Sequence, residues 1–144
     1  MGADLYIHSS FDRAQKKYRP KFKEFVDKRD GATSGRKGYY QGKVEEYFGK
    51  AYGEGYYRDS YNDSNLLWKL GLDYWVWFKA FLDDGRLLQT DKAALILQEV
   101  EDRRHLLGEI DDNEDRKYFE EKFEEFTEFL RTAIRTGEPV QCSI

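Results

Sequence analysis

The chain has 144 residues, a formal net charge of −4 and aromatic side chains at 17% of its positions. That is enough for one domain that buries a core without disulfides or metal, and a single cysteine excludes an internal disulfide and fits a reducing, cytoplasmic location. The charge is uneven: residues 1–60 hold 13 Lys/Arg against 9 Asp/Glu and residues 61–144 hold 11 against 19, so faces of opposite sign are available to each other or to a partner.

The opening MGADLYIHSS has neither the basic region nor the apolar run of a signal peptide, so export is not expected. Tyr6 stands where myristoylation needs Ser or Thr, and Cys142 is third from the end where prenylation needs fourth. Ala3 to Ile7 is too short for a helix and carries β-friendly Tyr6 and Ile7, which predicts a strand. Val140 to Ile144 has the same character, so the two ends are expected to pair as a short ribbon on the helices.

From Ser9 or Ser10 a helical spacing runs through Phe11, Ala14, Tyr18, Phe22, Phe25 and Val26. Pro20 interrupts it, so a short turn ending near Tyr18 and a main helix from Pro20 to Arg29 are expected. Asp30 to Gly38, small, polar and rich in glycine, reads as a mobile loop. A second helix follows on Tyr39, Tyr40, Val44, Tyr47, Phe48, Ala51 and Tyr52, ended by Gly53 and Gly55.

The polar run from Arg58 to Asn65 predicts a helix start capped by Asn62, Asp63 or Ser64. Beyond it Leu66, Leu67, Trp68, Leu70, Leu72, Tyr74, Trp75, Val76, Trp77, Phe78, Phe81 and Leu82 leave only Lys69, Asp73 and Lys79 charged, the pattern of a helix enclosed by others. The charges exclude a membrane span, and Gly71 is expected to mark a close helix crossing. Asp84-Gly85 is a turn; Thr90 is expected to cap a third long helix facing the core with Ala93, Ile96, Leu97, Val100 and Leu107 and closed by Gly108. After a link from Glu109 to Asn113, a fourth carries the stripe Phe119, Phe123, Phe126, Leu130, Ala133 and Ile134 and stops at Gly137 and Pro139. No period of 20–50 residues recurs. The expected fold is mainly α: one domain over residues 1–144, an irregular bundle of four to five helices around a central aromatic helix, with a strand pair joining the ends.

The strings GADLYI at the start, RDSYNDSNLLWKLGLDYW in the middle and GEPVQCSI at the end resemble those of a group of small uncharacterised bacterial proteins, over nearly the whole chain. The resemblance implies a bacterial protein and supplies no substrate, cofactor or catalytic residue.

Three places hold chemistry-bearing residues. The first is Arg58, Asp59, Ser60, Tyr61 and Asn62, a charge pair, hydroxyls and an amide at a helix start, suited to an anionic ligand or to a hydrolytic site with Asp59 as base; the same residues also serve as a cap. His8 is a candidate acid or base beside them, and Cys142 a nucleophile if His8 were next to it. The second is Lys16, Lys17, Arg19, Lys21 and Lys23 interleaved with Tyr18 and Phe22, which suits a phosphate backbone with stacked bases; Tyr18 and Phe22 are also at core spacing, which makes the charges the solvated face of a helix. The third, Glu109 to Glu128, has ten Asp/Glu against three Lys/Arg and suits a basic partner or an ordinary charged helix face.

His8 and His105 lack partners at ligand spacing, and no G-x-S-x-G, P-loop or dinucleotide fingerprint occurs, so neither metal nor cofactor is expected and catalysis has little support. The leading expectation is a non-catalytic cytoplasmic protein that binds another protein. The alternatives are a small enzyme or anionic-ligand binder at Arg58–Asn62, and nucleic-acid binding through Lys16–Lys23.

Overall fold

The computed structural model describes residues 2–53, 55–60 and 65–144, apart from the side chains of residues 74 and 75. The chain is mainly helical with a small four-stranded sheet, and its contacts divide it into two compact units, His8–Tyr56 and a second made of Met1–Ile7 with Tyr57–Ile144.

The second unit is built on the sheet, whose strand order is β2-β1-β4-β3. β1 (Gly2–Ile7) buries alternate residues Ala3, Leu5 and Ile7, as a strand with one face covered must. It pairs antiparallel with β4 (Val140–Ser143), placing Leu5 opposite Cys142 and Ile7 opposite Val140. The ribbon expected between the chain ends is therefore present, but β2 (Tyr56–Ser60) and β3 (Leu87–Leu88) widen it to four strands. β3 is too short to show a period. It is held by Asp83, whose carboxylate accepts from the backbone N–H groups of Gly85 and Leu87 and from Gln89 Nε2.

Over this sheet lie α5 (Thr90–Asp102), a 3-10 turn (Arg104–Glu109) and α6 (Asn113–Thr136). α6 buries Phe119, Phe123, Phe126, Phe129, Leu130 and Ala133, of which the Phe and Leu side chains are each worth roughly 1.5–3 kcal/mol when fully removed from water. Tyr57 of β2 stacks on Phe126 with ring centroids 4.9 Å apart. Asp112 caps α6 by accepting from Asp115 N–H at 2.9 Å. Gly137, in left-handed conformation at φ 70°, ends it, with Glu138 N–H bonded to Ala133 O and Gly137 N–H to Ile134 O, the stop expected from Gly137 and Pro139. Thr90 is the first residue of α5 and not its cap, and Leu107 is buried from the 3-10 turn, not from α5 itself. The helix gives way at Arg103, whose guanidinium is drawn to Leu70 O and Glu99.

The enclosed central helix is corrected. The stretch forms two short helices, α3 (Leu66–Lys69) and α4 (Tyr74–Lys79), because Gly71 adopts φ 75° and closes α3, with Leu72 N–H bonded to Leu67 O and Gly71 N–H to Trp68 O. This is the same left-handed stop that ends α6. Its apolar residues then divide: Leu66, Leu67, Leu70, Leu72 and Phe78 are buried, whereas Trp68 is 52% and Val76 72% exposed. Gly71 serves this turn rather than a close helix crossing.

The unit His8–Tyr56 is a hairpin of α1 (His8–Asp30) and α2 (Ser34–Tyr52). α1 runs through Pro20 without the expected break. The missing hydrogen bond and ring clash cost about 3 kcal/mol, and ring contacts to α2 on both sides offset it: Tyr18 with Tyr47 before the proline, Phe22 with Phe48 and Phe25 with Tyr47 after it. The expected loop from Asp30 to Gly38 shrinks to residues 31–33, since α2 begins at Ser34. The nearest ring contact to this first part of α2 is Tyr40 with Phe25 of α1, centroids 6.3 Å apart.

Candidate functional site

Asp59 alternates inward with Tyr57 on β2, and only 5% of it is exposed. Its Oδ1 accepts from Ser60 N–H at 2.8 Å, and its Oδ2 from Leu66 N–H at 2.8 Å and Tyr57 Oη at 3.1 Å. The cap of α3 is thus shared by Asp59 and Asn65, whose Oδ1 accepts from Trp68 N–H at 2.8 Å. Asn62, Asp63 and Ser64, expected as caps, lie outside the described residues, as does Tyr61. With both oxygens engaged by donors of its own chain, Asp59 is built as a fastener between β2 and α3.

Around the outer side of this joint lies a cleft of about 520 Å³. Arg58, Lys69 and Lys122 line it together with Asp59, Asp115 and Tyr118, and all belong to the sheet unit. Lys122 Nζ donates to Arg58 O at 2.8 Å, tying α6 to β2, and sits 5.2 Å from the centre of the Tyr57 ring. Lys69 Nζ lies 5.4 Å from the centre of the Phe119 ring. Arg58 Nε stands 3.8 Å from Asp4 Oδ1. Partial burial, with the negative charges of Asp59 and Glu125, holds the Tyr118 phenol above its ordinary range, so it remains a proton donor at neutral pH. Among the candidates read from the sequence, Arg58, Asp59 and Ser60 come together here. Lys69, Tyr118 and Lys122 were missed, although Lys69 is the one charge within Leu66–Leu72 and Lys122 the one cation between Glu120 and Glu128.

His8 is the first residue of α1, in the hairpin, with its side chain 74% exposed and Nε2 3.5 Å from Asp12 Oδ2. Cys142 is buried in β4, its thiol pushed up to about 12 by burial, so at neutral pH it is protonated and not a nucleophile.

Lys16, Lys17, Arg19, Lys21 and Lys23 are all exposed along α1. Tyr18 and Phe22 are half-buried and turned to the rings of α2, as their core spacing suggests. Lys21 and Lys28 share Glu24, and Lys43 and Lys50 share Glu46. The hairpin as a whole holds twelve Lys/Arg against seven Asp/Glu, and the sheet unit twelve against twenty-one. Tyr39 and Phe48 of α2 are 62% and 50% exposed.

Compared with protein-family models, with curated proteins and with solved structures, the chain matches none. Among the described residues, no helix is long and apolar enough to cross a membrane.

Proposed function

We propose that the protein is a non-catalytic, cytoplasmic binding protein whose helical hairpin α1/α2 engages an acidic surface of another protein. The observation that carries this reading is the joint exposure of Tyr39, Phe48 and five basic side chains of α1 on one positively charged unit. Aromatic side chains supply interface area, and a charge of one sign steers association with the opposite one. A protein surface is favoured over nucleic acid because the rings beside the basic run are used within the hairpin and carboxylates are shared among its lysines.

The test is affinity capture by the full-length chain from bacterial extract at about 0.15 M salt, run beside the double variant Tyr39→Ser, Lys23→Glu. One protein retained by the natural chain and lost by the variant is the expected result. Retention of RNA or DNA with steep loss on added salt, or recovery of the same proteins by both chains, would overturn the reading.

A further inference from the structure

The two helices of the hairpin carry the same short pattern. KFKEFVDK at residues 21–28 returns as KVEEYFGK at 43–50, with Lys, Glu, an aromatic ring and Lys in the same places. Eight residues make no repeating architecture, but the two copies meet at their rings, Phe25 stacked on Tyr47 with centroids 5.5 Å apart. The contacts to either side match as well: Tyr18 with Tyr47 at 6.5 Å, and Phe25 with Tyr40 at 6.3 Å. Lys21 and Lys28 share Glu24 at 3.3 and 3.0 Å, and Lys43 and Lys50 share Glu46 at 3.3 and 3.9 Å. An approximate two-fold axis through the stacked rings therefore relates α1 to α2.

These lysines form one face. Lys21 and Lys28 lie 5.9 and 5.3 Å from the centre of the Phe25 ring, and Lys50 lies 4.9 Å from that of Tyr47. Lys17 and Lys50 share the Tyr18 ring at 5.2 and 5.8 Å, and Lys17 has no ion pair among the described residues. With Glu24 and Glu46 both counted, five ammoniums face two carboxylates, an excess of three positive charges. The opposite flank has no such excess. By helical spacing Lys16, Arg19 and Lys23 share their side of α1 with Asp12, Asp27 and Asp30, and Glu45, bonded to Gln41, lies on the adjoining side of α2.

Resting on the hairpin as the protein-binding unit, we propose that this lysine face takes one acidic helix of the partner, laid along the groove between α1 and α2. Lys21 and Lys28, like Lys43 and Lys50, stand seven residues apart, about 10.5 Å along a helix. Carboxylates at positions i, i+4, i+7 and i+11 of the partner helix repeat that spacing on one side, and opposite charges fix the register. Tyr39, 62% exposed and 6.0 Å from Lys43 Nζ, adds apolar contact at the edge.

The experiment is an amide NMR titration of the full-length protein at about 0.05 M salt with two alanine-based helical peptides of about 28 residues and equal glutamate content. One carries its Glu at i, i+4, i+7 and i+11; the other spreads them around the circumference. Saturating shifts in Lys17–Lys28 and Tyr39–Lys50 are expected with the first peptide, and binding at least about fivefold weaker with the second. Lys28→Gln with Lys50→Gln should weaken the first peptide at least about fivefold, and Lys16→Gln with Lys23→Gln less than about twofold. The spectra themselves report whether each variant is folded. Equal binding of both peptides, equal loss in the two double variants, or tighter binding of a DNA duplex would overturn the face. A protein captured from extract as well by the Lys28, Lys50 variant as by the natural chain would also overturn it and leave protein binding standing, whereas capture of none removes the reading beneath it.

Discussion

A single carboxylate decides how β2 meets α3. Asp59 replaces the solvent for two backbone N–H groups and one phenol, and a buried donor left without an acceptor costs about 1–3 kcal/mol. Asp59→Ala is therefore expected to lower unfolding free energy by about 2–4 kcal/mol, whereas the exposed Glu121→Ala in α6 is expected to shift it by less than about 0.5 kcal/mol. Urea denaturation of the two variants beside the natural chain checks this. Near-equal midpoints would mean that the carboxylate is held for a ligand and not for the fold. The sequence favours a cap over a site for the short polar run but does not show which residue does the capping. What decides is the partner set of Asp59, and Leu66 stands seven residues away.

Whole elements were legible where one face is buried by one neighbour, and were misread where packing overrides local preference. α6 buries Phe119, Phe123, Phe126, Leu130 and Ala133 of its stripe, with Ile134 partly buried and Phe129 and Thr127 added, and β1 with β4 matches the alternation at the two ends. α1 was cut at Pro20 and the start of α2 assigned to a loop because propensity counts the penalty of proline and glycine without the rings that offset it. The central stretch failed in the opposite sense, since its apolar run conceals a left-handed turn at Gly71. Two glycine classes follow. A Cβ at Gly42 or Gly49 meets nothing within 4 Å, so Gly42→Ala and Gly49→Ala are each expected to stabilise α2 by about 0.5–1 kcal/mol. A Cβ at Gly71 meets Arg103 Nη1 at 3.3 Å, and the residue sits at φ 75°, so Gly71→Ala should cost about 1–2 kcal/mol. Thermal melts followed by circular dichroism give the signs. A neutral Gly71→Ala would remove the physical reason for two short helices.

At the scale of the molecule, the two units differ in how they are held. The sheet unit encloses one continuous apolar cluster, with Leu5, Ile7, Phe78, Phe123 and Phe126 at its centre. The buried residues of α1 and α2 are small: Ser10, Ala14, Val44 and Ala51. Between those helices the contact is a ladder of half-buried rings, Tyr18 with Tyr47 and Phe25 with Tyr40 and Tyr47, reinforced by Gln15 Nε2 to Ala51 O at 2.9 Å and Arg29 Nη1 to Gln41 Oε1 at 2.8 Å. Half-buried rings exclude less water per residue than enclosed ones, and local opening follows the density of buried apolar contact. Hydrogen exchange is expected to be at least about tenfold faster for the amides of Lys16–Glu24 and Lys43–Lys50 than for those of Phe119–Leu130 and Val140–Cys142, under conditions where the chain remains folded. A surface that must adapt to another protein belongs on the element with the lower opening cost. Equal protection in the two sets would deny the hairpin that freedom and remove one physical argument for placing the protein-binding surface on it.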